Sequence, residues 1–406
     1  MASSGEARRA TMLYSLPNRC QKQSRPIHVK PPTILISCGE ASGDLYASEL
    51  LKELKRLEPT CEAFGLFGER TESAGATPTV RLEEISVIGL VEVVSKLPAL
   101  LSAMRRLSAA ALSRRPDVAV LIDFSGFNLR LAKRLDALGI PIVYYVSPQV
   151  WAWRRGRVRT IRKLVSEMLV ILPFEKSFYE KEGVNVRYVG HPLVDLVSAS
   201  QTREAFCRRL SLDAARPIVA VLPGSRRSEI EFHVPVLGDS IEALSRKQPE
   251  LQFVVSRAPT VPREMIVDRL GSSIDRVRLM NGSVHDGLAH AAVAIVASGT
   301  APVEAALLGT PMVVIYRVSR ASYLLGSPFV DVPFYSMVNL IAERELVPEL
   351  IQDAMTPANI VEQVSGLMQD DRALLMRAGL DDLKQRLGGG GASRRAAEAV
   401  LSHVEL

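Results

Sequence analysis

The 406-residue chain has little with which to staple itself or hold a metal. Its four cysteines, Cys20, Cys38, Cys61 and Cys207, form no CxxC pair. Cys38 and Cys61 fall in apolar, strand-like runs, so free thiols in a reducing compartment are expected. The six histidines include no HExxH, and the five-residue spacing of His285 and His290 does not make a ligand pair, so no metal site is expected. No uncharged apolar run reaches the ~20 residues that span a bilayer. Basic runs dense enough for a nucleic-acid footprint are absent, as are zinc-finger and RNA-binding signatures. The GxGxxG dinucleotide fingerprint is missing as well.

What is there reads as an ordinary globular protein, 47% hydrophobic and 23% charged. The length exceeds one usual core and calls for two domains plus ends. A net charge of +6 and a pI near 9.2 fit an anionic ligand or an anionic membrane surface, and equally a solvated basic surface. Residues 1–30 carry Ser and Arg with Glu6 as the one acid, and read as a disordered basic extension, with an organelle transit peptide as the alternative.

From Thr33 the pattern alternates apolar strands with amphipathic helices, and the alternation restarts at Pro217. Strands are expected at Thr33–Cys38, Asp117–Ile122, Ile140–Val146, Met168–Leu172, Pro217–Leu222, Leu251–Ser256, Arg276–Met280, Ala292–Ala297 and Pro311–Tyr316. Such alternation predicts an α/β fold with two Rossmann-like parallel sheets facing a cleft. The expected divisions are 31–195, 196–368 and 369–406, the last holding two C-terminal helices, about Arg372–Leu387 and Arg394–Val404, on either side of a flexible hinge at Gly388–Gly391.

Two short turns carry the strongest chemistry. Pro223-Gly224-Ser225-Arg226 and Ser298-Gly299-Thr300 each follow an apolar strand and open a helix, where small residues let backbone N–H groups approach an anion. A diphosphate of a nucleotide-activated donor is the simplest ligand. Arg226 is placed to offset charge on a leaving diphosphate, or else to pair with Glu229. Glu304, one turn further in, suits ribose hydroxyls, or else simply the helix dipole. Glu40 stands between a strand and two glycines and is read as facing the cleft. Asp123 ends an apolar strand, where poor solvation raises a carboxyl pKa and suits a general base; a turn or capping aspartate is the bland alternative. Asn128 could contact a sugar hydroxyl or cap its helix. Trp151 and Trp153, the two tryptophans, flank Arg154 and suit a sugar ring beside a phosphate, against an ordinary core Trp with a solvated basic helix start. Between Glu83 and Met104 apolar residues recur at helical steps, including Ile88, Val91, Val94 and Leu97; on pattern alone the buried-helix reading is preferred over an interfacial one.

In order, these strings resemble the lipid-A-disaccharide synthase family: Gly39-Glu-Ala-Ser-Gly-Asp44, Ile122-Asp-Phe-Ser-Gly-Phe-Asn128, Ser147-Pro-Gln-Val-Trp-Ala-Trp-Arg154, Leu172-Pro-Phe-Glu175, Val189-Gly-His-Pro-Leu193, Leu222-Pro-Gly-Ser-Arg226, Ser298-Gly-Thr300 with Glu304, and Asn339-Leu-Ile-Ala-Glu-Arg-Glu-Leu-Val-Pro-Glu349. The likeness runs from about Thr33 to Asp382. It implies a GT-B fold and an inverting transfer from UDP-2,3-diacylglucosamine to 2,3-diacylglucosamine 1-phosphate (lipid X), releasing UDP, with no cofactor. It implies activity-critical roles for Glu40, Asp123, Arg226 and Asn339, the last oriented toward donor or acceptor hydroxyls. It also tilts the stripe Ile88, Val91, Val94 and Leu97 toward acyl or membrane contact. A cytoplasmic enzyme, peripheral on the anionic inner membrane and open to homodimerisation, is expected. Ser125-Gly126 replaces the family's more usual Pro-Asp, which leaves Asp123 the sole base candidate in its segment. Rival readings are a UDP-N-acetylglucosamine 2-epimerase, a peptidoglycan-type glycosyltransferase and a non-catalytic nucleotide-sugar sensor.

Overall fold

A computed structural model describes residues 30–85, 97–151, 155–282, 284–320, 323 and 332–404. Ile88, Val91, Val94, Trp153 and Arg154 lie outside the described residues, as does nearly all of the 1–30 extension.

The first sheet has seven parallel strands: β1 (Thr33–Cys38), β2 (Glu62–Phe67), β3 (Thr77–Arg81), β4 (Val118–Ile122), β5 (Ile142–Tyr145), β6 (Glu167–Val170) and β7 (Val186–Tyr188). Their spatial order is β3-β2-β1-β4-β5-β6-β7. The second sheet has six: β8 (Ile218–Leu222), β9 (Gln252–Arg257), β10 (Val277–Asn281), β11 (Val293–Ala297), β12 (Met312–Tyr316) and β13 (Glu349–Ile351), ordered β10-β9-β8-β11-β12-β13. Every residue of β1, β4, β8 and β11 is buried, because helices cover both faces of each sheet. That double cover explains why these strands read as unbroken apolar runs.

Strands β2, β3, β7 and β13 were not among those delimited from the sequence, although the run around Cys61, next to β2, reads as strand-like. Three of them lie at sheet edges, where polar and partly exposed residues blur the apolar run. In β2 the run is interrupted by Gly65, at φ 150°, where a Cβ would sit 1.8 Å from the Ile36 carbonyl oxygen. The close approach of β1 to β2 therefore demands glycine in the middle of a strand.

In both sheets the winding direction reverses beside the first strand, between β1 and β4 and between β8 and β11. Ligands of doubly wound sheets sit beyond the carboxyl ends of the strands at such switch points. Register does the rest. Cys38 of β1 pairs with Ile122 of β4, so the next residues, Gly39-Glu40 and Asp123, emerge side by side. Leu222 of β8 pairs with Val296 of β11, which brings the Pro223–Arg226 turn next to Ser298–Thr300.

The chain returns to the first sheet at its end. Helix Ala392–Leu401 packs against helix Ala41–Leu57. The Gly388–Gly391 segment is not the free hinge expected. The Asp195 carboxylate accepts from Gly391 N–H at 2.7 and 3.0 Å and from Ala392 N–H at 3.3 Å. Arg395 reaches Val189 O at 2.8 Å, and Tyr188 donates to Arg386 O at 3.1 Å. Glycine is required there for its backbone rather than for looseness, since Gly388 and Gly391 hold φ of 89° and 86°.

Among the described residues, no helix is long and apolar enough to cross a membrane. The stripe splits into helices Leu82–Ile85 and Leu97–Arg114 on either side of the undescribed segment. Ala103, Met104, Leu107 and Ala111 bury one face of the second helix, while Leu97 and Leu101 stay 52% and 49% exposed.

Candidate active site

A cleft of about 620 Å³ opens between the two sheets. Glu40, Asp123 and Ser147 line it from the first sheet's side, and Arg226, Ser298, Gly299 and Thr300 from the second's. Its size lies within the ~300–1,000 Å³ usual for small-molecule sites.

Asp123 sits on a strained bend. Asp123 and Phe124 hold φ of 44° and 47°, a left-handed pair that non-glycine residues adopt rarely and at a cost of order 1–3 kcal/mol each. Three contacts enforce the bend. Asn128 donates to the carbonyls of Asp123 (2.9 Å), Ile122 (3.1 Å) and Ser37 (3.2 Å), and its own oxygen accepts from Ser37 Oγ at 2.7 Å. The Tyr144 hydroxyl donates to Asp123 O at 2.5 Å. The Phe124 ring stacks on Phe127 and fills the space where a Cβ on Gly39 would lie, at 2.1 Å. The carboxyl of Asp123 is thereby held at the cleft. Burial first, and the nearby Glu40 carboxylate second, push its pKa from 3.8 up to about 6, against a lowering hydrogen bond from the Phe124 amide.

Asn128 therefore corrects its expected role. It is fully buried, with both its amide nitrogen and its oxygen bonded inside the protein, so it holds the Asp123 bend and cannot reach a ligand. Asn339 is corrected on the same ground. Fully buried, it accepts from the amides of Leu346 (2.8 Å) and Val347 (2.9 Å) and donates to Val347 O and Glu349 Oε1, both at 2.8 Å. Glu349 in turn holds the amides of Tyr335 and Ser336 at 2.8 Å. The network fixes the segment that presents Tyr335 and Met337 to the cleft.

The two anion turns differ. At the first, Gly224 has φ 120°, and a Cβ there would lie 2.3 Å from Glu229 Oε2. That carboxylate already accepts from Ser225 N–H (2.8 Å) and Arg226 N–H (3.2 Å). The amides of Ser225 and Arg226 are thus capped by an internal acid and are not offered to a diphosphate, which corrects the reading of this turn as a backbone anion cradle. What the turn offers is the Arg226 side chain, 59% exposed, with Nη2 3.8 Å from Glu40 Oε1 across the cleft and Nη1 3.5 Å from Glu229. At the second, Gly299 has open space around it, and Ser298, Gly299 and Thr300 line the cleft. Glu304 lies a turn behind them, with Oε1 3.9 Å from His285 Nε2.

Trp151 is buried and its indole N–H donates to Glu175 Oε1 at 3.1 Å, so it is a wall residue and not an open stacking platform. Glu175 had not been singled out as a site residue, although its string is part of the resemblance. Only 2% exposed, it also accepts from Leu172 N–H at 3.1 Å, and burial pushes its carboxyl from 4.5 up to about 7 despite those bonds. His191 was likewise missed. Burial holds its imidazole down to about 4, and Nδ1 accepts from Leu193 N–H at 3.2 Å, which leaves the proton on Nε2. Both line the cleft, as does Tyr46, whose ring meets His191 edge-on at 6.3 Å. Single buried Glu, His and Tyr residues give no spacing signal, and only the tertiary fold gathers them. Among the described residues, no three His, Cys, Asp or Glu side chains cluster as metal ligands.

Solved structures share the architecture. A UDP-N-acetylglucosamine 2-epimerase from Neisseria meningitidis, bound to UDP-GlcNAc, matches with a TM-score of 0.60 over 91% of this chain and 98% of its own, at 13% identity. The kitacinnamycin glycosyltransferase matches at 0.62 over 93% and 100%, at 16% identity. At such identities these likenesses establish the two-domain GT-B fold alone and do not separate epimerase from transferase. Sequence relatives do. The Myxococcus xanthus lipid-A-disaccharide synthase is 46% identical over 377 residues, covering 91% of this chain and 97% of the relative. That of Solibacter usitatus is 45% identical over 376 residues, covering 92% and 98%. The model of the lipid-A-disaccharide synthetase family matches residues 34–401, nearly the whole described fold and every cleft residue named above, and the chain belongs to that family.

Proposed function

We propose that this glycosyltransferase of lipid A biosynthesis joins UDP-2,3-diacylglucosamine to 2,3-diacylglucosamine 1-phosphate with inversion, and that Asp123 is its general base. The observation that carries this reading is a half-buried carboxyl with a pKa of about 6 in a cleft that the exposed Arg226 also lines. A base must be ionised at neutral pH yet basic enough to take a hydroxyl proton, and a carboxyl poised near 6 meets both needs better than one near 4.

Asp123 takes the proton of the acceptor 6-hydroxyl as that oxygen attacks the anomeric carbon from the face opposite UDP. The carbon–oxygen bond to the β-phosphate breaks, and the pair of electrons leaves on UDP. Arg226 meets the charge that develops there, together with the second turn at Ser298–Thr300. The ribose falls to Glu304. In the ground state Glu40 occupies Arg226 at 3.8 Å, a weak exposed pair that a diphosphate can displace at little cost. Neutral His191, with a proton on Nε2, offers a donor to a sugar oxygen on the same wall. The domain boundaries at 31, 196 and 369 give the first sheet the acceptor and the second the nucleotide. The enzyme works on the cytoplasmic face of the inner membrane, and the exposed Leu97 and Leu101 support a peripheral contact there.

Mass analysis of the product from both purified substrates tests this. A tetra-acyl disaccharide 1-phosphate, with UDP formed only when the acylated sugar phosphate is present, is expected. UDP or an epimerised sugar appearing without the acceptor overturns it in favour of hydrolysis or epimerisation.

A further inference from the structure

Beside the cleft lies a second cavity, of about 340 Å³, walled by Trp151, Phe174, Val332, Phe334 and Leu340. It belongs to neither sheet alone. Trp151 and Phe174 come from the segments after β5 and β6, and meet edge-on at 4.9 Å between ring centroids. Leu340 lies on helix Met337–Ala342, and Val332 and Phe334 on the strand-to-helix connection before it. The cavity and the cleft share a wall. Trp151 is tied through its indole N–H to Glu175, which faces the cleft. On the opposite side Tyr335 and Met337, the neighbours of Phe334 and Leu340, face the cleft too.

We propose that this cavity is an acyl-chain seat, taking the distal part of one fatty acyl group of the donor whose nucleotide lies in the cleft. This rests on the transfer reading above, which supplies an acylated sugar. Size and chemistry favour a chain over other occupants. The cavity is near the lower end of small-ligand sites and about half the volume of the cleft, too small for a nucleotide-sugar. Its described walls are aromatic and aliphatic except for Glu343, and the buried Trp151 indole N–H is already satisfied by Glu175. An apolar chain entering there leaves no donor stranded. Because the walls come from both halves of the molecule, a seated chain contacts both, and chain length is read by how far the cavity fills.

The test is equilibrium binding of UDP-glucosamine donors carrying a graded series of acyl chains, with UDP alone as the reference. While added methylenes enter the cavity, each tightens binding about fourfold, and the gain then reaches a plateau. Leu340→Trp, which fills the cavity, should bring the plateau at shorter chains; Phe334→Ala, which enlarges it, should move the plateau to longer ones. UDP affinity should change in neither. Opposite shifts support the seat. Identical profiles in wild type and both variants overturn it, even where disaccharide forms normally. Chain-length-dependent binding with opposite shifts, but without disaccharide formation, keeps the seat and removes the transfer reading.

Discussion

The titration of Asp123 gives the sharpest test of the mechanism, because its magnitude follows from the structure. If Asp123 is the base, only its ionised fraction works. With a pKa of about 6 that fraction falls from ~90% at pH 7 to ~10% at pH 5, so kcat/KM should drop about tenfold over those two units. A carboxyl at its ordinary 3.8 would lose less than ~10% of its ionised form over the same interval. The two cases are easily told apart by UDP release at substrate concentrations well below KM. The cause of the shift is testable too. Glu40 is the second contribution after burial, so Glu40→Gln should move the acid limb to lower pH without returning it to 3.8. In Asp123→Asn, with turnover down ~10²–10⁴-fold, the limb near 6 should vanish from the residual activity. A flat wild-type profile from pH 5 to 7, or a limb that persists unchanged in Asp123→Asn, refutes the assignment.

Further outcomes follow from the same geometry. Arg226→Ala should cost ~10²-fold or more in kcat while moving thermal stability little, since its partners Glu40 and Glu229 are met by an exposed side chain; a large loss of melting temperature with normal kcat would make it structural. Asn339→Ala strands the amides of Leu346 and Val347 and should destabilise by roughly 2–3 kcal/mol in denaturant unfolding, whereas a stable, inactive variant would restore a direct ligand role. Glu175 keeps its proton longer in the folded state, so its contribution to stability is full below pH 4.5 and is lost as pH rises through about 7; the melting temperature of Glu175→Gln relative to wild type should therefore climb across that window, and a constant difference would contradict the buried protonated carboxyl. Leu97→Asp with Leu101→Asp, both at exposed positions, should release the protein from anionic vesicles at unchanged melting temperature; retained binding would send the membrane contact elsewhere.

The sequence by itself determined the doubled α/β plan, because strands buried on both faces leave long apolar runs that composition cannot hide. It also determined which strand ends carry chemistry: Glu40, Asp123, Arg226 and Ser298–Thr300 all emerge at the cleft. Edge strands β3, β7 and β13 escaped it, since half-exposed residues carry no such run. Only the tertiary structure decided between ligand contact and support. A polar residue near a strand end reads alike in both roles, and burial separates them: Asn128 and Asn339 turn inward to brace loops, and Glu229 spends the amides of the first turn. Glu175, His191 and Tyr46 come from distant segments that share no periodicity, so their convergence on one wall exists only once the first sheet has brought together the ends of β1, β6 and β7.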